Sequence, residues 1–366
     1  MKISPSTKPR GIALFIVMIA IFVLSVMAAI FAASMKVETK LAINAQHNEQ
    51  LLWLGRSGVE LARYVLAQEA SLPYDSLNEI WAGGPGTLSE SNSPLSNLSL
   101  DNYQVGDGTV SVKIIDLERK VNINTASPQM LQQALILMGV GADDISTISD
   151  SILDWISPGD NPRLAGAKSD YYQNLDPPYY CKDAPMDDLS ELLLVRGIRN
   201  HPEIYWGGGA TNQGPAAVHR EKMGFGNSPF QGAGYPFGLK DLFTTVSSGQ
   251  ININTAGTNV LQLLLMSAGM NQGAAADMAD SIVKLRAGPD GVEGTADDTP
   301  FASVGQLAQA DVPPQLVGQL ARVCTVRSLD FEVHVTAKIG DDHRESIAIL
   351  HRNSPMDIRV LTFYWK

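Results

Sequence analysis

The chain has 366 residues, 45% of them hydrophobic and 18% charged, which suits a folded protein with room for two packed domains. Its formal charge of −11 argues against broad attraction to nucleic acid or to an acidic lipid surface. Two cysteines, Cys181 and Cys324, are too few for a disulfide scaffold and lack the CxxC spacing of a zinc or redox site.

Lys2, Lys8 and Arg10 give the first ten residues a positive character. From Gly11 to Met35 nothing is ionisable, and Ile12 to Ala33 is interrupted only by Ser25. At about 1.5 Å per residue this run is long enough to cross a bilayer. The positive flank predicts a cytoplasmic head and an exported remainder. An ordinary secretory signal, an uncleaved anchor and a leader cut before the apolar run all share this outline, although the apolar run exceeds the ~7 to 15 residues usual in a secretory signal. Leu51, Leu54, Gly58, Leu61 and Val65 then recur with helical spacing among charged residues, which predicts one long helix from about Ile12 to about Glu69, ended by Pro73.

Val110, Val112 and Ile114 alternate with polar neighbours as in a half-buried strand. An internal duplication follows. Residues 121–127, VNINTAS, return as 251–257, ININTAG, and Leu131, Gln132, Leu135, Gly139, Asp150, Ser151 and Ile152 return 130 positions later as Leu261, Gln262, Leu265, Gly269, Asp280, Ser281 and Ile282. Each copy reads as a short strand, a cap at Thr125 or Ser127 in the first, and two helices, with a third helix expected to begin near Pro185 and near Pro300. Asn122, Asn124, Asn252 and Asn254 are expected to hydrogen-bond the starts of the helices rather than a ligand. The Gly- and Pro-rich stretch from His201 to Gly238 reads as a connector.

Within the second copy, Asp290, Glu293, Asp297 and Asp298 crowd four carboxylates into one loop with Gly288, Gly291 and Gly294, a mixture of oxygen ligands suited to calcium. Asp160 and Asp170 are weaker candidates in the first copy, with Lys168 close by. Phe331, Val333, Val335, Ala337 and Ile339 alternate as a strand, a turn follows at Gly340 to Asp342, and Ile347 to Leu350 continues the sheet. The fold expected is α+β: a small antiparallel sheet packed on the amphipathic end of the first helix, carrying an inserted all-α domain. No nucleophile elbow, HExxH or phosphate loop occurs and the histidines are scattered, so catalysis is not expected. Whether Cys181 and Cys324 pair is left open by the sequence.

Two local resemblances sharpen this picture. Lys8-Pro-Arg-Gly11 before Ile12-Ala-Leu-Phe-Ile16 resembles a type IV prepilin leader, which implies cleavage after Gly11 and methylation of Ile12. The fifth mature position, usually glutamate, is Ile16, which would suit a subunit at a filament tip with no neighbour to pair with. The NINTA openings resemble helix-hairpin-helix and SAM-like modules, many of which bind DNA through a glycine turn. Here Asp143 and Asp144 follow Gly139-Val-Gly141 and would repel phosphate.

Together with Ile152-Leu-Asp-Trp155, Asp160-Asn-Pro-Arg163, Asp170-Tyr-Tyr172, Leu189 to Gly197 and Asp241 to Gly249, these features resemble the general secretion pathway protein K family, the largest minor pseudopilin of type II secretion systems. The resemblance implies a pilin-like fold divided as 1–11 prepilin leader, 12–70 N-terminal helix, 71–120 and 322–366 frame, 121–200 first helical repeat, 201–250 connector and 251–321 second repeat. It further implies a subunit in the bacterial inner membrane with a periplasmic C-terminal domain. That subunit would cap the pseudopilus, bind minor pseudopilins I and J, and meet prepilin peptidase, the inner-membrane platform, secreted substrates or the outer-membrane secretin. A type IV minor pilin or a DNA-binding helix-hairpin-helix protein are the alternatives.

Overall fold

A computed structural model describes residues 11–86, 94–95, 98–207 and 235–366. The expected leader, through residue 10, and most of the expected connector, 208–234, lie outside the described residues.

Helix α1 runs Gly11–Glu69. Side chains from Ile12 to Gln46 are all exposed, and among the described residues nothing packs on this half, whereas Leu51, Leu54, Val59, Ala62, Val65 and Leu66 are buried. A continuous apolar surface of that length is stable only where water is excluded. The helix ends before Pro73, and the Glu69 carboxylate accepts the N–H groups of Ile80 and Trp81, at 2.7 and 2.9 Å.

The buried face of α1 lies on a five-stranded antiparallel sheet formed by β1 (Tyr103–Val105), β2 (Gly108–Asp116), β7 (Asp330–Ile339), β8 (Asp342–Ser354) and β9 (Asp357–Trp365), in that spatial order. Four short strands, β3 to β6, lie between β2 and β7 in the sequence and are placed below. Alternation decides the inner face: Val110, Val112 and Ile114 of β2 and Phe331, Val333, Val335 and Ala337 of β7 point at the helix. The pairing sets Val112 opposite Val335, and Trp81 packs edge-on against Phe331 with ring centroids 5.4 Å apart. Contact is close because α1 has glycines here. A Cβ on Gly58 would stand 2.3 Å from Val335 Cγ1, and one on Gly55 would stand 2.7 Å from Ser346 Oγ.

Residues 117–329 interrupt this sheet between the neighbouring strands β2 and β7. They form two helical modules of like order. In the first, β3 (Val121–Asn122) leads to α2 (Pro128–Met138) and α3 (Ala142–Ile156), followed by a single turn, α4 (Ser169–Tyr172). In the second, β5 (Ile251–Asn252) leads to α5 (Thr258–Ser267) and α6 (Gln272–Arg286), with α7 (Pro314–Leu320) later. Ser127 caps α2, accepting the Met130 N–H, with Pro128 at the first helical position. Gly139 and Gly269 end α2 and α5 with left-handed φ of 85° and 100°.

The structure differs from expectation in three respects. Where third helices were expected, the chain forms short 3-10 segments, Leu189–Leu194 and Val304–Ala310, each opened by a residue in extended conformation. The modules are not separate subdomains, because Leu131, Leu135, Ile152, Leu261, Leu265 and Ile282 belong to one core. Their edges also fall later than the sequence indicated. β4 (Phe243–Thr244), inside the expected connector, pairs in parallel with β3, and β6 (Cys324–Thr325), inside the expected frame, pairs with β5. Two-residue strands carry no periodicity of their own, so only their partners reveal them.

Because Gly58 meets Val335 directly, Gly58→Val should destabilise the protein by about 2 kcal/mol through overpacking, measured as a lowered denaturation midpoint, with the exposed neighbour Arg56→Val as control.

Candidate functional site

The positions singled out in the sequence lie far apart. Gly11 opens α1, and Ile12 and Ile16, each 60% exposed, stand on its unpacked half. Among the described residues this is the one helix long and apolar enough to cross a membrane.

The repeated asparagines do more than start helices. The side-chain oxygens of Asn122 and Asn252 accept the N–H two residues on, which shapes the turn before each helix. Asn124 and Asn254 instead reach across the module. Asn124 accepts from Met186 N at 2.7 Å and donates to Met186 O at 3.0 Å, while Asn254 accepts from Phe301 N and donates to Phe301 O, both at 2.9 Å. The same amide thus clamps the entry to the 3-10 segment in both copies. The glycine turn at Gly139 to Gly141 is followed by Asp143 and Asp144 in the first turn of α3.

In the acidic loop the four carboxylates are already engaged. Asp290 accepts the Val292 N–H at 2.7 Å, Asp297 accepts the Asp290 N–H at 3.0 Å, and Asp298 accepts the Gly294 N–H at 2.8 Å. Glu293 is drawn away to Arg286, whose Nε lies 2.5 Å from it. Arg286 itself is 3% exposed and also donates to the carbonyls of Ile253 and Ala256. Among the described residues no three His, Cys, Asp or Glu side chains gather as metal ligands do. As placed, each of the four carboxylates has its partner within the protein. Asp160 and Asp170 are exposed. Cys181 and Cys324 are buried free thiols, and burial pushes them up to about 11 and about 12 respectively, which leaves both protonated and unreactive.

The most developed polar site was not legible in the sequence. It lies where the chain leaves the sheet at Asp116 to Glu118 and returns at Ser328 to Asp330. Arg352 of β8, 2% exposed, donates to Asp75 at 2.5 Å. Asp75 also accepts the Ser328 N–H, and the Ser328 hydroxyl donates to Asp116 at 2.7 Å. Thr255 donates its hydroxyl to the same Asp116 oxygen, and Asn252 donates to Asp116, Ser328 Oγ and Asp75 O at 3.3, 2.8 and 3.1 Å. Beside them Glu118 accepts the N–H groups of Ser248, Leu329 and Asp330. The partners are separated by up to 277 positions. The only sequence signal is the unexplained Asp-Leu-Glu after an apolar strand.

Against known proteins, residues 95–203 match the family model described as type II secretion system (T2SS), protein K. The putative type II secretion system protein K of Escherichia coli K12 is 25% identical over 209 residues, covering 53% of this chain and 59% of that protein. Type II secretion system protein K of Aeromonas hydrophila is 23% identical over 221 residues, covering 53% and 61%. Over these stretches the chain is similar to type II secretion system protein K. It spans about three fifths of the length of the curated relatives it matches. A chain of the GspK-GspI-GspJ complex from the type 2 secretion system of enterotoxigenic Escherichia coli shares the fold, with a TM-score of 0.59, 20% identity, and coverage of 88% of this chain and 98% of that one.

The matched region joins β1 and β2 of the sheet to β3, α2, α3 and α4 of the first module, so it runs through the buried junction. Burial, with Asp116 beside it, pushes Glu118 up to about 8, and burial likewise pushes Glu79 up to about 9. For both, the folded state holds a proton that the unfolded chain releases near 4.5, so this stability is complete below about pH 4.5 and is lost as pH rises through 8 to 9. The melting temperature should fall as pH is raised from 5 to 8, and Glu118→Gln should flatten that slope. A melting temperature that climbs over the range in the native sequence would contradict it.

Proposed function

We propose that the chain is a minor pseudopilin that caps the tip of a type II secretion pseudopilus, helps initiate its assembly, and bears no catalytic site. In this reading the exposed half of α1 spans the inner membrane and the sheet and helical modules stand in the periplasm as a pilin-like frame with two SAM-like, helix-hairpin-helix-like repeats. Minor pseudopilins I and J are the partners. Prepilin peptidase, the inner-membrane platform, secreted substrates and the outer-membrane secretin are met during assembly.

The observation that carries this reading is the placement of residues 117–329 between two neighbouring strands of the sheet that α1 holds. Such bulk is hard to repeat in a tightly stacked filament and is accommodated once, at an end. Ile16 supports it, since an apolar side chain on an exposed helix face needs no neighbouring amine in a bilayer. The mature chain would begin at methylated Ile12, which terminal peptide mapping reads directly.

The deciding experiment is affinity capture of the membrane-extracted protein from a secreting cell, with mass spectrometry of what comes with it. Two smaller pseudopilins should be recovered together, and Ile16→Glu should reduce assembled filament. Capture of pilus subunits instead would favour a type IV minor pilin, and unchanged assembly in Ile16→Glu would detach that residue from capping.

Calcium at the 287–300 loop is a separate proposal. It requires Asp290, Asp297 and Asp298 to exchange backbone N–H partners for a cation, and Glu293 to leave Arg286. Millimolar calcium should then raise the melting temperature, and Asp290→Ala with Asp297→Ala should abolish the gain. Melting that ignores both calcium and chelator would leave the loop as a hydrogen-bonded turn.

A further inference from the structure

Lys168 lies just before α4 and is 5% exposed. Its Nζ stands 2.6 Å from Asp154 O, 2.5 Å from Ser157 O and 2.6 Å from Asp183 Oδ1. An ammonium group has three protons, and these three oxygens take all of them. Two are carbonyls at the C-terminal end of α3, where the partial negative charge of a helix collects. The third comes from a residue held at a left-handed φ of 53°. The Cys181 thiol adds a weak contact to Asp154 O at 3.7 Å.

The surroundings are built to the same end. The Asp154 carboxylate, also buried, is turned toward Arg163, accepting its N–H at 3.0 Å and its guanidinium at 2.7 Å. Asp150 accepts the Ala165 N–H at 3.2 Å. Gly166 lies so close that a Cβ there would stand 1.9 Å from Asp154 Oδ2. The segment from Ser157 to Lys168 therefore folds back over the end of α3. Lys168 joins three pieces of chain at one point: the end of α3, the start of α4 and the stretch at Asp183. Two backbone carbonyls and a carboxylate converging on a buried positive charge are the donor set of a hard-cation site.

We propose that this is an oxygen-lined cation site that the chain fills with its own ammonium, and that, once the Lys168 side chain is removed, the same oxygens take a small free cation. The tether makes the closure of this loop independent of dissolved ions. Asp160 and Asp170, both exposed, take no part in it.

The test uses the full chain in detergent micelles, with Lys168→Ala and Lys168→Met compared with the native sequence. Lys168→Ala vacates the stem and the charge, whereas Lys168→Met removes the charge but keeps the space filled. Without added cation both should melt about 10 °C lower, since each leaves inward-facing oxygens uncompensated. Measured in a background carrying Asp290→Ala and Asp297→Ala, so that the 287–300 loop gives no calcium response of its own, millimolar calcium, or propylammonium as an organic cation, should restore most of that loss in Lys168→Ala and add no comparable gain to Lys168→Met or to the chain with Lys168 intact. Restoration by calcium alone identifies a divalent site, and restoration by propylammonium alone a site shaped for an ammonium; either supports the proposal. Native-like melting of Lys168→Ala without cation, or a loss that neither cation restores, overturns it. Should Lys168→Ala fail to fold, reductive methylation of the native protein decides: Lys168 should be modified at least about tenfold more slowly than exposed Lys338, and equal rates overturn the cage.

Discussion

Two buried carboxylates, Asp75 and Asp116, set the condition that the rest of the molecule must meet. They are removed from water at the place where the chain crosses between the sheet and the helical modules; polar groups in that position are tolerated only when hydrogen-bonded, and burial holds Asp116 above the usual carboxylate range. Arg352 comes from the sheet, Ser328 from the returning strand, and Asn252 and Thr255 from the second NINTA turn. Bringing these partners together therefore requires both parts of the fold to be in register. The second module is fastened to the frame by this network, and the first is fastened to the second by their common core. The consequence is a head whose large insertion is held in one orientation rather than hung from a linker.

The two copies of the repeat have divided their tasks. Both use the second asparagine of the motif to clamp a remote backbone segment, Met186 in one and Phe301 in the other. The first asparagine differs. Asn122 donates to Ser247 O within its own surroundings, whereas Asn252 enters the buried junction. The loops differ too: Lys168 closes the first through three oxygens, while in the second Arg286 gathers the carbonyls of Ile253 and Ala256 and the carboxylate of Glu293. A cationic side chain thus stands at the inner end of the second helix's loop in each module, reached from opposite directions along the chain. Neither copy relies on side-chain carboxylates alone.

Helix α1 obeys two different constraints along its length. Its second half fits a sheet so closely that glycine is needed at Gly55 and Gly58, and its first half is exposed and packs on none of the described residues. A helix docked this tightly carries any pull on its apolar end directly into β2, β7 and β8. That mechanical continuity agrees with a subunit that is anchored in a membrane and presents its bulk away from it.

Periodicity and repetition determined much of this in the sequence alone. The apolar run, the long helix, the alternating strands and the paired NINTA openings rest on local patterns, and local patterns are written in consecutive residues. The cap at Ser127 was legible for the same reason. What the tertiary structure decided were the contacts whose partners lie far apart: the two-residue parallel strands, the fusion of the modules into one core, the Asp75 to Arg352 pair, and the oxygen cage around Lys168. A carboxylate in a sequence gives no sign of whether it faces solvent, a cation or a backbone N–H. The acidic loop shows the difference most plainly: its four closely spaced carboxylates are plain in the sequence, and only the fold shows that Asp290, Asp297 and Asp298 accept backbone N–H groups while Glu293 pairs with Arg286.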